Sequence, residues 1–225
     1  MTTKDWIVIS IIGFGAFILI RKASAFNPLE ENPNIMDALK NANLSITINS
    51  DELRVMQYAD IMMYEGQRQG IAPEIIAGHI RAESSGIAGK KTWEPKVNDY
   101  SYGLMQMLPA TAELVQSRAN WVKYNGDPSS LFSPDVSIKM GTAYLRQNLD
   151  KYLASPKLNP ITDMIASYNA GTAFVHNGIY TNSVGDPMVQ TYVNRVLSYK
   201  SRFKMMFEYL YTNYDSLFSP TYWGY

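Results

Sequence analysis

The sequence predicts an all-α domain that follows an apolar N-terminal segment. From about residue 50 onward, apolar residues recur three and four positions apart, which places their side chains on one face of a helix. Several segments begin with a capping residue followed by proline, the usual order at a helix N-terminus. No segment sustains an alternation of apolar and polar residues, so we expect at most a small hairpin within residues 87–102.

Composition indicates one folded domain with appendages. The chain has 225 residues, 46% of them apolar, and 20 acidic residues balance 20 basic ones. This length is sufficient for a hydrophobic core. Because the net charge is zero, nothing attracts DNA or RNA, and we expect no nucleic-acid partner. The absence of cysteine excludes disulfides, thiolate zinc sites and cysteine nucleophiles.

Residues 6–20 form an uncharged apolar run that is followed by Arg21 and Lys22. As a helix, the run and its flanks would span roughly 25 Å, slightly less than a hydrocarbon core of about 30 Å. We expect residues 1–25 to be a transmembrane anchor that contacts the membrane through the apolar run. A signal peptide cleaved near residues 23–25, which have a small-x-small form, and a buried core helix are the alternatives. Two basic residues leave the orientation of an anchor open.

Residues 26–50 contain six asparagines and two prolines with little periodicity, which predicts a tether to the folded domain. Ser50 is expected to cap a helix that ends by Gly70. Pro73 then suits the first turn of a helix that runs to about Ser85.

Three further helices are expected in the second half of the chain. Each begins with a capping residue and a proline, and two of them carry an apolar stripe. The pairs are Ser133-Pro134, Asn159-Pro160 and Asp186-Pro187, and the helices run to about Tyr152, Asn169 and Phe203. We therefore expect the folded domain over residues 51–205 and a short aromatic tail over residues 206–225.

Glu83 is the strongest candidate for a catalytic residue. Ile76, Ile80 and Glu83 are spaced by four and three residues, which places the carboxylate on the apolar face of its helix. Desolvation and the negative end of the helix dipole both favour the protonated carboxyl there. Glu83 is thus a candidate general acid near neutral pH. The alternative is an ordinary glutamate at a helix end, held by Arg81 or Lys90.

Other catalytic centres have little support in the sequence. His79 and Glu83 have the i, i+4 spacing of two metal ligands, but HExxH is absent and His176 is the only other histidine. We therefore expect no metal and no other cofactor. Three serines lie near Glu83 without the spacings of a Ser-His-Asp triad: Ser84, Ser85 and Ser101.

Four motifs carry a family resemblance. They are Glu83-Ser84-Ser85, Ser101-Tyr102-Gly103-Leu104-Met105-Gln106, Pro109-Ala110-Thr111-Ala112 and Ala166-Ser167-Tyr168-Asn169-Ala170-Gly171. In this order they resemble the motifs of the soluble-lytic-transglycosylase-like domain, within the lysozyme superfamily. Residues 141–145 and 192–196 are similar to the family's last two helices. The resemblance covers about residues 52–204 and implies a lysozyme-like helical domain.

The resemblance also implies a substrate and a set of roles. The family cleaves the β-1,4 bond between N-acetylmuramic acid and N-acetylglucosamine in peptidoglycan. By this resemblance, Glu83 would be the single acid/base. Gln106 and its loop would hold the sugar and its N-acetyl group, and Tyr168 would hydrogen-bond the catalytic carboxyl. The remaining implied substrate-binding residues are Ser101, Tyr102, Leu108 and Asn169, and Tyr100 is a further candidate for stacking on sugar rings.

A single glutamate suffices if the 2-acetamido group of the substrate replaces the second carboxylate that most glycosidases need. The product is then a 1,6-anhydro sugar. If water attacks instead, the enzyme is a hydrolase, for which Glu94 and Asp99 are the nearby carboxylates, although we expect both to be solvated loop charges. A non-catalytic glycan-binding component of a membrane-bound assembly is another alternative.

The predicted order of anchor, tether and catalytic domain suggests where the chain acts. It suits a single-pass protein of the bacterial envelope or of a phage virion membrane, with the catalytic domain facing the cell wall. The expected partners are peptidoglycan glycan strands and the membrane, together with a phage particle or an envelope assembly.

Overall fold

The computed structural model describes residues 6–10, 17–21, 35–119, 122–153, 159–171, 175–176, 179–180 and 187–213. The chain divides into two units, Met1–Asn32 and Pro33–Tyr225, which are described separately.

In the first unit, strands β1 (Trp6–Ser10) and β2 (Phe17–Arg21) pair antiparallel, with Trp6 opposite Arg21. The transmembrane helix predicted over residues 6–20 is not confirmed, since no helix in the described part of the chain is long and apolar enough to cross a membrane. The difference has a physical reason. Isoleucine, valine and phenylalanine favour strands, whereas two glycines between positions 11 and 16 weaken a helix.

The second unit is mostly helical, as predicted. Its helices are α1 (Ile35–Lys40), α2 (Ser50–Met56), α3 (Ala59–Gln69), α4 (Pro73–Glu83), α5 (Pro109–Arg118), α6 (Pro134–Leu153), α7 (Pro160–Ala170) and α8 (Pro187–Asn213). A 3₁₀ helix spans Pro128–Phe132. The hairpin expected within residues 87–102 is present as β3 (Lys91–Glu94) and β4 (Asp99–Tyr102), and a second hairpin, β5 (Val175–His176) and β6 (Ile179–Tyr180), was not predicted.

The capping pattern locates most helix starts correctly. Pro134, Pro160 and Pro187 begin α6, α7 and α8, and the side chain of Asn159 accepts a hydrogen bond at the start of α7. The helix predicted from Ser50 to Gly70 differs, because it is two helices. Its cap is Asn49, in a capping box with Glu52, and the side chain of Gln57 donates to a carbonyl at the end of α2.

Helix α4 lies at the centre of the unit. Its residues from Ile75 to Ile80 are all buried, the pattern of a helix surrounded by protein on every side. Helix α8 packs along it at Gly78, where an added Cβ would lie only 2.9 Å from the carbonyl oxygen of Val196. Glycine therefore permits the close approach of the two helices that bring His79, Glu83 and Tyr192 together.

Both predicted ends of the folded domain need correction. Ile35 and Leu39, expected in the tether, are buried in the core through α1. At the other end, α8 continues ten residues beyond its predicted end at Phe203, and Phe207 and Leu210 are buried in the same core. The predicted boundary at residue 205 thus falls within α8. Residues 214–225, the rest of the predicted tail, lie outside the described residues.

Candidate active site

Glu83 is the last residue of α4, at the end of the most buried helix of the unit. It remains partly exposed, although Ile80 before it and Ser84 after it are buried. Burial of the carboxyl group raises the pKa of Glu83 to about 7, opposed by a hydrogen bond from Tyr192 and by the charges of Lys90 and Arg195. This is the direction expected from its position on the apolar face. Glu83 can therefore hold a proton near neutral pH.

One wall of the site, here called the helical wall, consists of His79, Tyr168 and Tyr192 on α4, α7 and α8. The hydroxyl of Tyr192 donates a hydrogen bond to Glu83 Oε1 over 2.5 Å. The same hydroxyl oxygen lies 2.9 Å from His79 Nδ1. The rings of His79 and Tyr168 are 4.7 Å apart, so the three side chains form one packed group.

The role predicted for Tyr168 belongs to another tyrosine. Tyr168 donates to the backbone oxygen of Met105 over 2.8 Å, whereas Tyr192 donates to Glu83. The reason is the packing of α8 against α4, which places Tyr192 beside the end of α4. Burial raises the pKa of both tyrosines well above the usual range, so both hydroxyls stay protonated. Asn169, predicted beside Tyr168, is exposed at the end of α7.

His79 faces Tyr192. It is completely buried, and burial lowers its pKa to about 3, so its ring is neutral. Within the described residues, no three histidine, aspartate or glutamate side chains are grouped as metal ligands. His176, the other histidine, lies in β5.

A second group of side chains, here called the hairpin wall, consists of Thr92, Glu94, Ser101 and Gln106, which are joined by hydrogen bonds. In the hairpin, Thr92 lies opposite Ser101 and Glu94 opposite Asp99. The hydroxyl of Ser101 lies 2.9 Å from Glu94 Oε1 and 3.1 Å from Gln106 Oε1. Ser101 is only 2% exposed and lies inside this polar cluster, and its contact with substrate stays a prediction.

Gln106 is held by the protein itself. Its Nε2 donates to the backbone oxygens of Lys90 and Gly103 over 3.0 and 2.8 Å, and its Oε1 accepts from Thr92 Oγ1 over 2.5 Å. Both amide protons and the amide oxygen are therefore engaged. Gln106 has a φ of +45°, a left-handed backbone conformation that these bonds stabilise. The polar atoms of Gln106 therefore hold the turn to the hairpin, and its predicted contact with the sugar stays a prediction.

The two carboxylates of the hairpin differ from the expectation of solvated loop charges. Glu94 is partly buried, and its charge adds to the forces that raise the pKa of Glu83. Asp99 accepts a hydrogen bond from the backbone N–H of Tyr100 over 2.7 Å and is also partly buried. Of the two carboxylates, Glu94 is the one whose charge raises the pKa of Glu83.

Three of the remaining predicted residues lie away from this polar cluster. Tyr100 is 38% exposed and lies edge-on to Trp93, which is 44% exposed. Tyr102 packs against Phe132, and Lys91 Nζ lies 4.0 Å above the ring of Tyr100. Together these aromatic side chains form the outer face of the hairpin. Leu108 is partly buried and precedes α5.

Sequence reasoning missed Tyr192, His79 and Thr92 as members of the site. A signal for Tyr192 was available, because it lies three residues after Val189 and four before Val196, on the buried stripe of α8. A tyrosine on such a stripe needs a partner for its hydroxyl. Of the predicted partners of an ordinary Glu83, Arg81 pairs with Asp51 over 2.7 Å, whereas Lys90 lies beside Glu83 and its Nζ donates to the backbone oxygen of Glu83.

The chain matches one family model and is similar to curated proteins over part of its length. The model of the family described as "Transglycosylase SLT domain" matches residues 60–186, more than half of the chain. Membrane-bound lytic murein transglycosylase C of Histophilus somni (strain 2336) is 32% identical over 139 residues, which cover 59% of this chain and 36% of that protein. Endo-type membrane-bound lytic murein transglycosylase A of Enterobacter sp. (strain 638) is 36% identical over 94 residues, which cover 41% of this chain and 43% of that protein. The chain thus spans well under half of either relative.

Solved structures give the same fold. The 70 kDa soluble lytic transglycosylase SLT70 of Escherichia coli superposes with a TM-score of 0.56 at 24% identity, over 77% of this chain and 28% of that one. An inactive mutant of the lytic transglycosylase Slt of Pseudomonas aeruginosa gives a TM-score of 0.54 at 22% identity, over 74% and 26%. The predicted likeness to the helical domain of lytic transglycosylases is confirmed at the level of the fold.

Proposed function

Because the chain belongs to the transglycosylase SLT domain family, we propose that it is a peptidoglycan lytic transglycosylase. It cleaves the bond between N-acetylmuramic acid and N-acetylglucosamine, with Glu83 as the single acid and base. The observation that carries this proposal is the state of Glu83. Its pKa is about 7, it is partly exposed, and Tyr192 binds only one of its oxygens. Such a carboxyl can give a proton and take one back at neutral pH.

The reaction follows from these properties in two steps. Protonated Glu83 donates to the glycosidic oxygen as the bond to C1 breaks, and the 2-acetamido oxygen of the substrate supports the developing positive charge. Ionised Glu83 then takes the proton of the 6-hydroxyl while that oxygen bonds to C1. The product is a 1,6-anhydro sugar, and no water is consumed. The Tyr192 hydrogen bond stabilises the ionised form between the two steps.

We propose that the glycan lies between the helical wall and the hairpin wall. Three of the predicted substrate-binding residues lie outside the polar cluster and have partly or fully exposed side chains: Tyr102, Leu108 and Asn169. Gln106 and Ser101 contribute indirectly, because they fix the turn and the hairpin that shape this side of the site.

The identity of the products tests the proposal. The full chain and its Glu83→Gln variant are incubated with purified peptidoglycan, and the soluble fragments are analysed by mass spectrometry. Anhydromuropeptides from the wild type, and none from the variant, are the expected result. Reducing-end products, heavier by one water (about 18 Da), would indicate hydrolysis and direct attention to Glu94 as the base. Retention of the protein on peptidoglycan without release of fragments would overturn catalysis and favour a binding role.

We also propose that residues 1–25 attach the protein to the envelope membrane, with the catalytic domain facing the wall. The uncharged run over residues 6–20 and the membrane-bound character named in the relatives support this. An envelope assembly or a phage particle is the proposed partner. Expression in bacteria, alkaline extraction of membranes and the intact mass of the product test the attachment. A full-length, extraction-resistant protein is expected, whereas a mass lacking residues up to about 25 would indicate a cleaved signal peptide.

A further inference from the structure

His79 is a buried polar residue that the proposed reaction does not use. It is fully buried on α4, one turn before Glu83. Its Nδ1 lies 2.9 Å from the hydroxyl oxygen of Tyr192, which in turn lies 2.5 Å from Glu83 Oε1. The three polar groups form a continuous chain that ends at the candidate catalytic carboxyl.

The surroundings of His79 select its tautomer. Among the described residues, its other nitrogen, Nε2, has no hydrogen-bond partner. Nε2 lacks a partner whether or not it carries the single N–H of the neutral ring, so the choice is made at Nδ1. With the proton on Nε2, Nδ1 would have to accept the hydroxyl proton of Tyr192 that is donated to Glu83. A proton on Nδ1 is instead donated to the oxygen of Tyr192. The Tyr192 hydroxyl then has its own proton left for Glu83.

We propose that His79 is a positioning residue that commits the hydroxyl proton of Tyr192 to Glu83 Oε1, so that the acidic proton of Glu83 resides on Oε2. Oε1 already accepts from Tyr192, and Oε2 accepts no hydrogen bond from any described residue. Since Oε1 is engaged by Tyr192, Oε2 is the oxygen left for the substrate. This inference rests on the proposed function for its catalytic consequence, but not for its effect on Glu83.

Removing the Nδ1 donor changes Glu83 in two ways. Tyr192 becomes a weaker donor, because an oxygen that accepts one hydrogen bond donates the next more strongly. Its hydroxyl is also free to turn and to accept the proton of Glu83. The first change destabilises the ionised carboxylate and the second stabilises the protonated form, so both raise the pKa of Glu83. The second also directs the acidic proton to Oε1, away from the substrate.

The chain offers a matched pair of variants for the test. In His79→Asn the amide nitrogen is attached at the same carbon, Cγ, as the imidazole Nδ1, and can replace it. In His79→Gln the amide lies one bond further out, near the position of Nε2. Both variants are polar and smaller than or similar to histidine. The pair therefore separates the position of the donor from the mere presence of a polar group.

The first readout is the pKa of Glu83 itself, from ¹³C carboxyl resonances of the full chain labelled at glutamate, assigned by comparison with Glu83→Gln. We expect a rise of about half a unit to one unit in His79→Gln, the size of one ordinary hydrogen bond, and little change in His79→Asn. The other groups whose charge acts on Glu83, or on which Glu83 acts, are the same in every variant: Lys90, Glu94, Tyr168 and Arg195. A difference between the pair is thus due to position 79.

The second readout is the pH profile of muropeptide release. In His79→Gln the alkaline limb should move to higher pH with the pKa, and the maximal rate should fall about three- to tenfold. In a Tyr192→Phe background, His79→Gln should cause no further change in the pH profile or the maximal rate, because His79 acts through the Tyr192 hydroxyl. His79→Leu, which is apolar, serves as a second variant lacking the donor.

The outcomes are distinguishable from failure of the proposed function. If the pKa of Glu83 rises in His79→Gln but the wild-type protein releases nothing from peptidoglycan, the transglycosylase assignment is wrong and the positioning role stands. An unchanged pKa in both His79→Gln and His79→Leu overturns the inference. So does a shift of equal size in the Tyr192→Phe background, since position 79 would then act through packing alone.

Discussion

The helical wall and the hairpin wall differ in the hydrogen bonds that their side chains make. In the helical wall, His79 and Tyr192 are almost completely buried, and their hydrogen bonds run toward the carboxyl of Glu83. In the hairpin wall, Thr92, Ser101 and Gln106 bond to one another and to the backbone, and the carboxyl of Glu83 receives none of these bonds.

The comparison suggests a division of labour. A buried donor next to a carboxyl changes the relative free energy of its two protonation states, so the helical wall governs where and when Glu83 holds a proton. A polar cluster that satisfies itself fixes the shape of the backbone around it. The hairpin wall should therefore govern how the glycan is held. Substitutions in the helical wall should alter the pH profile of activity, and substitutions in the hairpin wall should alter the KM for glycan.

The largest effect is expected at Glu83 itself. Glu83→Gln removes the acid and base, so release of muropeptides should fall at least a hundredfold, the lower end of what general acid–base catalysis contributes. Assays of soluble fragment release measure it. Circular dichroism should show an intact fold, because glutamine keeps the shape of the side chain. Activity close to that of the wild type would show that Glu83 is not the catalytic residue.

The same variant should reveal the raised pKa in the stability of the protein. The carboxyl of Glu83 has a pKa of about 7 in the folded state against the usual 4.5. The folded state therefore keeps a proton that the unfolded state loses between these values, and stabilisation present below pH 4.5 is lost as the pH rises through 7. Relative to Glu83→Gln, the wild type should lose free energy of unfolding over this interval. Urea unfolding at several pH values measures it, and parallel curves would contradict the raised pKa.

The second largest effect should come from the backbone of the hairpin wall. Gly103 has a φ of +77°, and an added Cβ would lie 1.9 Å from the backbone oxygen of Leu131. Gly103→Ala should lower the free energy of unfolding by about 3 kcal/mol or more and remove most of the activity, since the turn cannot form as it does now. Gly89→Ala is the matched control, because its Cβ would meet no atom within 4 Å. Equal destabilisation of the two variants would contradict the close approach.

The two walls also differ in how far the sequence revealed them. Glu83 and its raised pKa follow from local information, the spacing of Ile76, Ile80 and Glu83 on one helix. The partner of Glu83 could not be found this way, because Tyr192 is 109 residues distant and reaches it only through the packing of α8 on α4. A family motif suggested Tyr168 instead, which lies close in space but donates to Met105.

In the hairpin wall, the sequence located the elements but not their bonding. The hairpin and the loop of Gln106 were both expected in this region. Whether an amide side chain faces substrate or protein depends on which backbone carbonyls lie near it, and those of Lys90 and Gly103 are placed by the fold. The N-terminal run shows another limit, since an apolar stretch rich in β-branched residues satisfies both helix and strand patterns.

A smaller effect is expected at Thr92, within the hairpin wall. Thr92→Val keeps the shape of the side chain but removes the hydrogen bond to Gln106 Oε1. We expect a loss of about 1 kcal/mol in the free energy of unfolding and a roughly threefold rise in the apparent KM for soluble glycan strands. The pH profile should stay as in the wild type. A displaced alkaline limb in this variant would show that both walls act on the proton of Glu83 and would end the proposed division.

The smallest effect is expected on the outer face of the hairpin. Trp93 and Tyr100 are exposed and pack edge-on at 4.9 Å, and exposed aromatic rings can stack on the C–H faces of sugars. Trp93→Ala should raise the apparent KM about twofold and leave the maximal rate and the pH profile unchanged. Stability should change by about 0.5 kcal/mol or less, as is usual for exposed positions. Val97→Ala, at the exposed tip of the same hairpin, is the control and should change none of these values. If Trp93→Ala has the same apparent KM as Val97→Ala, the glycan contacts only the inner face of the hairpin. The hairpin wall then acts through its polar cluster alone.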